Sequence, residues 1–335
     1  MDPILVEVTR AARVESAHRG AVVVLDAAGA VAFSAGDIDQ AVYPRSAVKA
    51  LLALPMVETG AADRLGLTEA EIAFACSSHN GEAFHVAAAQ SMLRKAGRDE
   101  TVLECGSHWP GYEPAAYALA ATGAKPSALH NNCSGKHSGF ICLACDRGDD
   151  PTGYVKPDHP TMRQITAALA DMSSATLDDR NIAVDGCSIP TYAIPLRALA
   201  LAFARFGAGQ GMSADRARAA ARIRAAVAAH PEMVAGTGRF DTRLMTELGA
   251  RVFVKSGAEG VFCGAIPELG LGIAVKCDDG AGRAAQLVTA AMIERFLPGN
   301  AGPTPVLAEL ARPRLTNWNG IHVGDIRPSD ALTAN

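Results

Sequence analysis

Residues 251–277, RVFVKSGAEGVFCGAIPELGLGIAVKC, carry the pattern that decides the fold class. Short runs rich in apolar and β-branched residues predict strands at 251–255, 260–265 and 271–277. The last two runs flank the turn IPELG at 266–270, so we expect them to pair antiparallel. This stretch therefore predicts an antiparallel sheet in the second half of the chain.

The N-terminal residues predict strands of the same kind. Residues 4–8 alternate apolar and polar, and a β-branched run at 21–25 is joined by the turn DAAG to a second run at 30–34, which predicts a hairpin. Strands from both chain ends, covered by helices, define an α+β (mixed α/β) class. Helical patterns are present at 82–97, 134–147, 160–174, 192–206, 213–229 and 281–297.

Two shorter segments have local signals of their own. A helix is predicted to begin at Ser46 and to be kinked or ended by Pro55. Thr68 and Glu71 have the spacing of a capping box at the start of a short helix. We expect a strand at 72–76 after it, because this run is apolar.

Composition limits the function. Of 335 residues, 49% are apolar, and 31 Lys and Arg stand against 35 Asp and Glu, which gives a net charge of -4. A mildly acidic chain without a basic block does not favour nucleic-acid binding. We expect no membrane partner and a cytoplasmic location, because the chain has no signal-peptide pattern and no membrane-length apolar run. In that compartment the 8 cysteines are thiols, metal ligands or catalytic groups.

The sharpest local motif is Ser46-Ala47-Val48-Lys49, an S-x-x-K at a predicted helix start. The spacing places the hydroxyl and the amine on one helix face, one turn apart. A neutral lysine can take the proton of a serine nucleophile, but the lysine pKa of about 10.4 must then fall to ~7.5, which costs ~4 kcal/mol. Burial and nearby cations such as Arg45 supply that shift.

Two further motifs support a serine–lysine chemistry. Ser78-His79-Asn80 is an S-x-N that follows an apolar run, and Lys255-Ser256-Gly257 is a K-S-G at a predicted strand end. The order S-x-x-K, S-x-N, K-[ST]-G is that of serine β-lactamases and penicillin-binding proteins, which form acyl-enzymes. Each motif alone is more often a turn serine or a surface lysine.

A third group consists of Cys133 and Lys136, one helical turn apart, and Cys187 beyond them. Two thiolates favour zinc, although a lysine must bind as a neutral amine. The alternative is a set of buried thiols without a metal. Cys142 and Cys145 also form a C-x-x-C, but it lies within a predicted helix and is interpreted as core.

Taken together, these motifs resemble the Rhizobium etli-type (class 3) L-asparaginases. The resemblance spans roughly residues 3–300 and rests on the segments YPRSAVKALLALPMVETGAAD, CSSHNGE, HNNCSGKHSGF, DGCSIPTYAIPL, GTGRFDT and KSGAEGVFCGAIPELGLGIAVKCDDG. It implies a serine β-lactamase/penicillin-binding-protein-like fold. It also implies a single catalytic unit over 1–335, with an α/β lobe and a smaller helical lobe, and a homodimer that hydrolyses L-asparagine to L-aspartate and ammonia.

The resemblance also implies residue roles. It pairs Ser46 with Lys49 and Ser78 with Lys255 as two Ser-Lys tandems, and it adds Arg45 to the catalytic group. It assigns a Zn²⁺ ion to Cys133, Lys136 and Cys187, with Asp185 and His137 close by. The candidate substrate-binding residues are Asn80, Glu82, Asp185, His137 and Arg239; Glu82, Arg239 and a further candidate, Asp241, are chosen from charge type and loop position alone.

These roles give one hypothesis and three alternatives. Ser46 attacks the carboxamide, Lys49 accepts its proton, and Ser78 relays a proton between Lys49 and Lys255, whose like charge lowers the pKa of Lys49. Zinc is expected to orient the substrate or the pocket rather than to activate water. The nearest alternative is a glutaminase-asparaginase, which differs by one methylene of substrate. A cell-wall peptidase or β-lactamase, and a catalytically silent zinc- or amino-acid-binding protein, are the others.

Overall fold

The computed structural model describes residues 1–297 and 304–333. The strands are β1 Ile4–Arg10, β2 Arg13–Asp26, β3 Val31–Ala35, β4 Ala41–Val42, β5 Ile182–Val184, β6 Pro190–Tyr192, β7 Ile194–Pro195, β8 Phe253–Ser256, β9 Val261–Ile266, β10 Leu271–Cys277, β11 Arg314–Thr316 and β12 His322–Pro328. The helices are α1 Lys49–Glu58, α2 Ala61–Arg64, α3 Glu69–Ala75, α4 Ala83–Lys95, α5 Glu113–Ala121, α6 Ser134–Asp146, α7 Pro160–Ser173, α8 Leu196–Ala208, α9 Ala214–Ala229, α10 Pro231–Val234, α11 Phe240–Leu248, α12 Gly282–Phe296, α13 Pro305–Ala311 and α14 Asp330–Thr333.

The main sheet joins both ends of the described chain. Its order is β11-β12-β1-β2-β10-β9-β8, β3 also pairs with β2, and these pairings are all antiparallel. The long strand β2 pairs with β1 through its first half and with β10 and β3 through its second half. The predicted antiparallel pairing of 260–265 with 271–277 and the predicted N-terminal hairpin are confirmed.

Helices cover this sheet and bury the strand β10. Helices α8 and α12 pack on β10, whose residues Gly272 to Val275 are all buried. Gly272 lies directly under α8: a Cβ at this position would come within 2.0 Å of the carbonyl oxygen of Ala200. The predicted α+β class, an antiparallel sheet covered by helices, is confirmed. The predicted division into two lobes stays a prediction.

Helix α1 lies at the centre of the remaining helices and packs against α6, α7 and α9. Every residue from Lys49 to Val57 is buried. Pro55 lies inside the helix, which continues to Glu58 rather than ending at the proline. A lysine at the start of α1 is therefore held in the protein interior.

One local prediction is wrong, and two parts of the chain contain elements that the sequence patterns do not predict. The capping box of Thr68 and Glu71 is present, but residues 72–75 continue the helix it begins instead of forming the predicted strand. The segment between α4 and α6 contains the helix α5, and the C-terminal part of the chain contributes β11 and β12; neither was predicted. No helix in the described ranges is long and apolar enough to span a membrane.

Candidate active site

The predicted nucleophile Ser46 lies in a tight turn before α1. Residues Arg45–Val48 form a 3-10 turn, which the amide of Ala47 closes by donating to the carbonyl of Pro44 at 3.0 Å. Arg45 has a φ of +52°, in the left-handed region that side chains with a Cβ rarely adopt. Its guanidinium forms an ion pair with Asp185, which holds this conformation in place. The strained turn positions Ser46, which is half-buried.

Lys49 projects into a closed polar interior. Its Nζ donates to the carbonyl of Ser77 at 2.6 Å, to Ser78 Oγ at 2.9 Å and to Cys133 Sγ at 3.1 Å. Burial lowers the pKa of Lys49, and the charge of Lys136 lowers it further, whereas the Cys133 thiolate opposes this effect. The structure thus joins Lys49 to the serine of the second predicted tandem. Among the described residues no hydrogen bond joins Lys49 to Ser46.

Lys255 is the other buried lysine of the predicted tandems. It is fully buried at the end of β8, and its Nζ donates to the carbonyl of Ser256 at 2.7 Å. Burial lowers the pKa of Lys255 to about 7; Asp241 opposes this shift, and the charges of Lys49 and Arg239 add to it. A lysine with a pKa near neutrality can both take up and release a proton.

The predicted metal ligands form a sulfur cluster beside Lys49. Lys136 Nζ donates to Cys187 Sγ at 2.8 Å, and both side chains are buried. A hydrogen bond from the Cys187 thiol lowers the pKa of Cys133, and the charges of Lys49 and Lys136 lower it further. The pKa of Cys187 is raised by the same hydrogen bond and by burial. In the hydrogen bond between the two thiols, Cys133 is therefore the acceptor.

Two of the three predicted zinc ligands are sulfurs, the type of donor that zinc favours. Each sulfur accepts a hydrogen bond from a lysine amine, Cys133 from Lys49 and Cys187 from Lys136, and Cys187 Sγ lies 3.4 Å from a carboxylate oxygen of Asp185. In the described ranges no three His, Cys, Asp or Glu side chains come together as a metal-binding group. A metal here would consequently need the Lys136 amine, whose pKa is raised by the two sulfurs despite its burial.

Three predicted substrate-binding residues meet around the loop 236–239. The Glu82 carboxylate accepts hydrogen bonds from the amide and the hydroxyl of Thr237, at 2.8 and 2.7 Å. Asn80 Oδ1 accepts from Arg239 Nη1 at 3.1 Å, and Asn80 Nδ2 donates to the Thr237 carbonyl at 3.2 Å. The structure brings Asn80, Glu82 and Arg239 together, and they bind one another and the loop.

His137 lies in α6 next to the sulfur cluster and is fully buried. Its Nδ1 is 2.6 Å from the hydroxyl of Tyr154, and this hydroxyl accepts the amide of Glu104 at 3.0 Å. The tyrosine therefore donates to Nδ1, which places the ring hydrogen on Nε2, an atom that has no hydrogen-bond partner among the described residues. Burial keeps the pKa of His137 well below its usual range, so the ring is neutral.

Sequence reasoning did not single out two groups that the geometry brings to the site. The Ser77 carbonyl accepts from Lys49, and Tyr154 fixes the tautomer of His137. Ser77 adjoins the S-x-N motif, so its position was a usable signal. Tyr154 lies 17 residues beyond His137 in a loop, and no local pattern marks it.

The sequence matches the family model described as L-asparaginase II over residues 6–328. No curated protein sequence matches the chain significantly. Among solved structures, a β-lactamase from Mycobacterium bovis has 14% identity and a TM-score of 0.39, covering 79% of this chain and 89% of that protein. A structure named Mglu has 16% identity and a TM-score of 0.38, covering 83% of this chain and 67% of the other. Similarity this distant assigns no activity and no residue role.

Proposed function

Because this chain belongs to the L-asparaginase II family, we propose that it hydrolyses L-asparagine to L-aspartate and ammonia through an ester on Ser46. The observation that carries the serine–lysine mechanism is the buried contact between Lys49 and Ser78, beside a second buried lysine whose pKa is about 7. A lysine whose pKa is lowered by burial and a second whose pKa is about 7 supply the proton acceptors that serine attack requires.

Acylation begins with the attack of Ser46 Oγ on the side-chain carboxamide carbon. A carbon–oxygen bond forms while the hydroxyl proton passes to neutral Lys49, one helical turn away. Lys49 then carries a positive charge in a buried site, and its hydrogen bond to Ser78 Oγ at 2.9 Å provides a path for that charge to leave. Ser78 accepts a proton from Lys49 and gives its own to Lys255, so the two lysines share the proton.

The second half of the reaction returns this proton. When the carbon–nitrogen bond breaks, the leaving NH₂ group takes the proton back through the same relay and departs as ammonia. Water then attacks the aspartyl ester, with Lys49 again accepting a proton, and Ser46 recovers its hydrogen as L-aspartate leaves. Arg45 positions the turn that carries Ser46 through its ion pair with Asp185.

Cys133, Lys136 and Cys187 are the residues that would hold zinc. When bound, the ion supplies a positive charge that orients a polar group of the substrate or the pocket. Asp185 and Arg45 lie between this sulfur cluster and Ser46, because Asp185 contacts both Arg45 and Cys187. We place substrate orientation on these side chains and on His137, whose Nε2 hydrogen has no partner. The loop 236–239, which Asn80 and Glu82 bind, follows Val234, whose carbonyl accepts the Ser78 amide at 2.8 Å.

Two further properties remain predictions from the resemblance, namely the homodimer and the cytoplasmic location. The described surface includes one helix suited to contact a second copy. Helix α5 has no buried side chain, and Tyr117 on it is 65% exposed. Glu113 precedes its apolar residues and Lys125 follows them, so two antiparallel copies of α5 would place opposite charges together.

Ammonia release from L-asparagine and from L-glutamine tests the proposed function. We expect rapid release from asparagine and a loss of at least ~10³-fold in Ser46→Ala, because no other group in the mechanism replaces the nucleophile. The matched control is Ser34→Ala, an exposed serine of β3, which should retain full activity. Equal release from glutamine would instead indicate a glutaminase-asparaginase. A Ser46→Ala variant that keeps most of its turnover, while Ser78→Ala loses it, would overturn the assignment of the nucleophile.

A further inference from the structure

Asp241 has an unusual position for a carboxylate. It lies in the first turn of α11 and is completely buried. Its Oδ1 accepts the backbone amide of Ser256 at 2.7 Å, whereas Oδ2 is buried and accepts no hydrogen bond from the residues that the structure describes. Buried carboxylate oxygens are costly to leave unpaired. An unpaired oxygen at this position therefore calls for a donor that reaches it in another state of the protein.

The candidate donor is Lys255, which is joined to Asp241 through Ser256. The backbone amide of Ser256 donates to Asp241 Oδ1, and the backbone carbonyl of the same residue accepts from Lys255 Nζ at 2.7 Å. The described residues provide Lys255 Nζ with no other hydrogen bond. A lysine ammonium has three hydrogens to donate. A protonated Lys255 therefore has unused donors, and Asp241, held by the same residue, has an oxygen with an unused acceptor.

The other groups that act on Lys255 do not supply a carboxylate counter-charge. Lys49 from α1, when it is protonated, and Arg239, the residue before α11, lower the pKa of Lys255 through their positive charge. Cys76 at the end of α3 and Cys263 on β9 are thiols whose pKa values are raised by burial, so both are neutral. The Cys133 thiolate acts on Lys255 as well, but it also binds Lys49. Among the described residues, Asp241 is the carboxylate that raises the pKa of Lys255.

We propose that Asp241 is a positioning residue of the reaction, whose Oδ2 receives the Lys255 ammonium each time Lys255 takes the proton relayed by Ser78. The inference rests on the proposed function and adds a residue to it. Above a pH of about 7 Lys255 is largely neutral, and its Nζ is bonded to the Ser256 carbonyl. When the proton arrives, the new positive charge appears in a dry site, and the fixed carboxylate stabilises it, as preorganised charges do in enzymes.

Electrostatics supports this role. Burial lowers the pKa of Lys255, and the Asp241 carboxylate opposes this shift, so that the pKa is about 7. Because the relay needs neutral Lys255 as its acceptor, activity falls as the pH drops through that pKa. Removing the carboxylate charge lowers the pKa of Lys255. The acid limb of the pH profile must then move to lower pH, while the plateau rate falls because the ammonium has lost its counter-charge.

The test compares pH profiles of asparagine hydrolysis for the full-length wild type, Asp241→Asn and Asp241→Glu. We expect Asp241→Asn to shift the acid limb of kcat down by about one pH unit and to lower the plateau kcat by at least ~10-fold. Asp241→Glu keeps the charge and should keep the limb within a few tenths of a unit. The control is Glu71→Gln, which removes a buried carboxylate that binds Lys95 outside this site and should leave the limb in place.

The outcomes separate this inference from the proposed function. A wild type that does not release ammonia from asparagine contradicts the function itself. An active wild type, with an inactive Ser46→Ala and an unshifted limb in Asp241→Asn, overturns the role of Asp241 alone. If Asp241→Asn does not fold, the Asp241→Glu profile decides: a limb displaced as far as one unit would contradict the proposal, and a limb in place with a lowered kcat would support it.

Discussion

Two sides of the candidate site stabilise buried lysines in different ways. On the sulfur side, Lys49 and Lys136 donate to Cys133 and Cys187. On the carboxylate side, Lys255 lies near Asp241, and no sulfur in the described part of the chain forms a hydrogen bond with it. A thiolate is a soft anion that also attracts zinc, whereas a carboxylate held by one backbone amide responds chiefly to protons. A lysine cation buried in the protein interior is thus stabilised by metal-sensitive sulfurs on one side and by a pH-sensitive carboxylate on the other.

The largest effect is expected for Lys49→Met, because Lys49 bonds to both Cys133 and Ser78 and so joins the two sides. Methionine fills the buried volume without a proton acceptor. We expect kcat to fall by about 10²–10⁴-fold while the folded structure is retained. Lys95→Met, which removes a lysine bonded to Glu71 outside the site, should keep its activity. Near-normal turnover of Lys49→Met would contradict this prediction, because it would mean that Lys49 does not couple the two sides of the site.

The pH dependence of the free energy of unfolding tests the carboxylate side. Lys255 has a folded pKa of about 7, below its unfolded value of about 10.4, so the unfolded chain binds more protons between these pH values. Wild-type stability should therefore rise from pH 7 to about 10. Lys255→Met removes the buried charge, and we expect it to gain on the order of 4 kcal/mol below pH 7 and little above pH 10.

Urea unfolding of both proteins at several pH values measures this difference. The pH dependence of the free energy of unfolding is the decisive quantity, because repacking around methionine changes this free energy by the same amount at every pH. Parallel stability curves for the wild type and Lys255→Met would mean that Lys255 does not titrate as its burial requires.

Zinc affinity also distinguishes the two sides, but here the effect is expected on the sulfur side. Cys187→Ser replaces a soft ligand candidate and should weaken zinc binding by roughly 100-fold or more, as measured by competition with a chromogenic chelator. Asp241→Asn should leave zinc affinity unchanged, because the carboxylate side has no part in binding. Cys142→Ser is the matched control, since this thiol is buried in α6 and contacts the Met92 carbonyl. Equal losses in all three variants would remove the distinction between the two sides.

The sequence predicted the parts of this molecule whose signals are local. The strand at 271–277 matches β10, and the Thr68–Glu71 capping box is present. Residues 72–75 were predicted as a strand because a short apolar run has no period that separates strand from buried helix. Helix α5 was missed because its apolar residues cover no part of the core, so no amphipathic pattern marks it.

Within the candidate site, the sequence motifs identified the residues but did not identify their hydrogen-bond partners. Ser46, Lys49, Ser78 and Lys255 stand out by spacing, yet the hydrogen bond of Lys49 runs to Ser78, which is 29 residues away. The Ser-Lys pairs implied by the resemblance describe catalytic roles, and these roles remain proposals. The fixed loop around Glu82 and Asn80, and the unpaired oxygen of Asp241, depend on contacts made by distant segments. Such contacts leave no trace in one sequence.

The position of β1 beside β12 has a consequence for synthesis on the ribosome. Val6 faces Pro328 in the sheet, and Glu7 forms an ion pair with Arg327 across 320 residues of chain. The edge of β1 must stay without this neighbour until residue 328 has left the exit tunnel, while β2 can already cover the other side. Pairings of such long range form slowly and leave strand edges open to aggregation. A nascent chain shortened before β12 should accordingly depend on chaperones far more than the finished one.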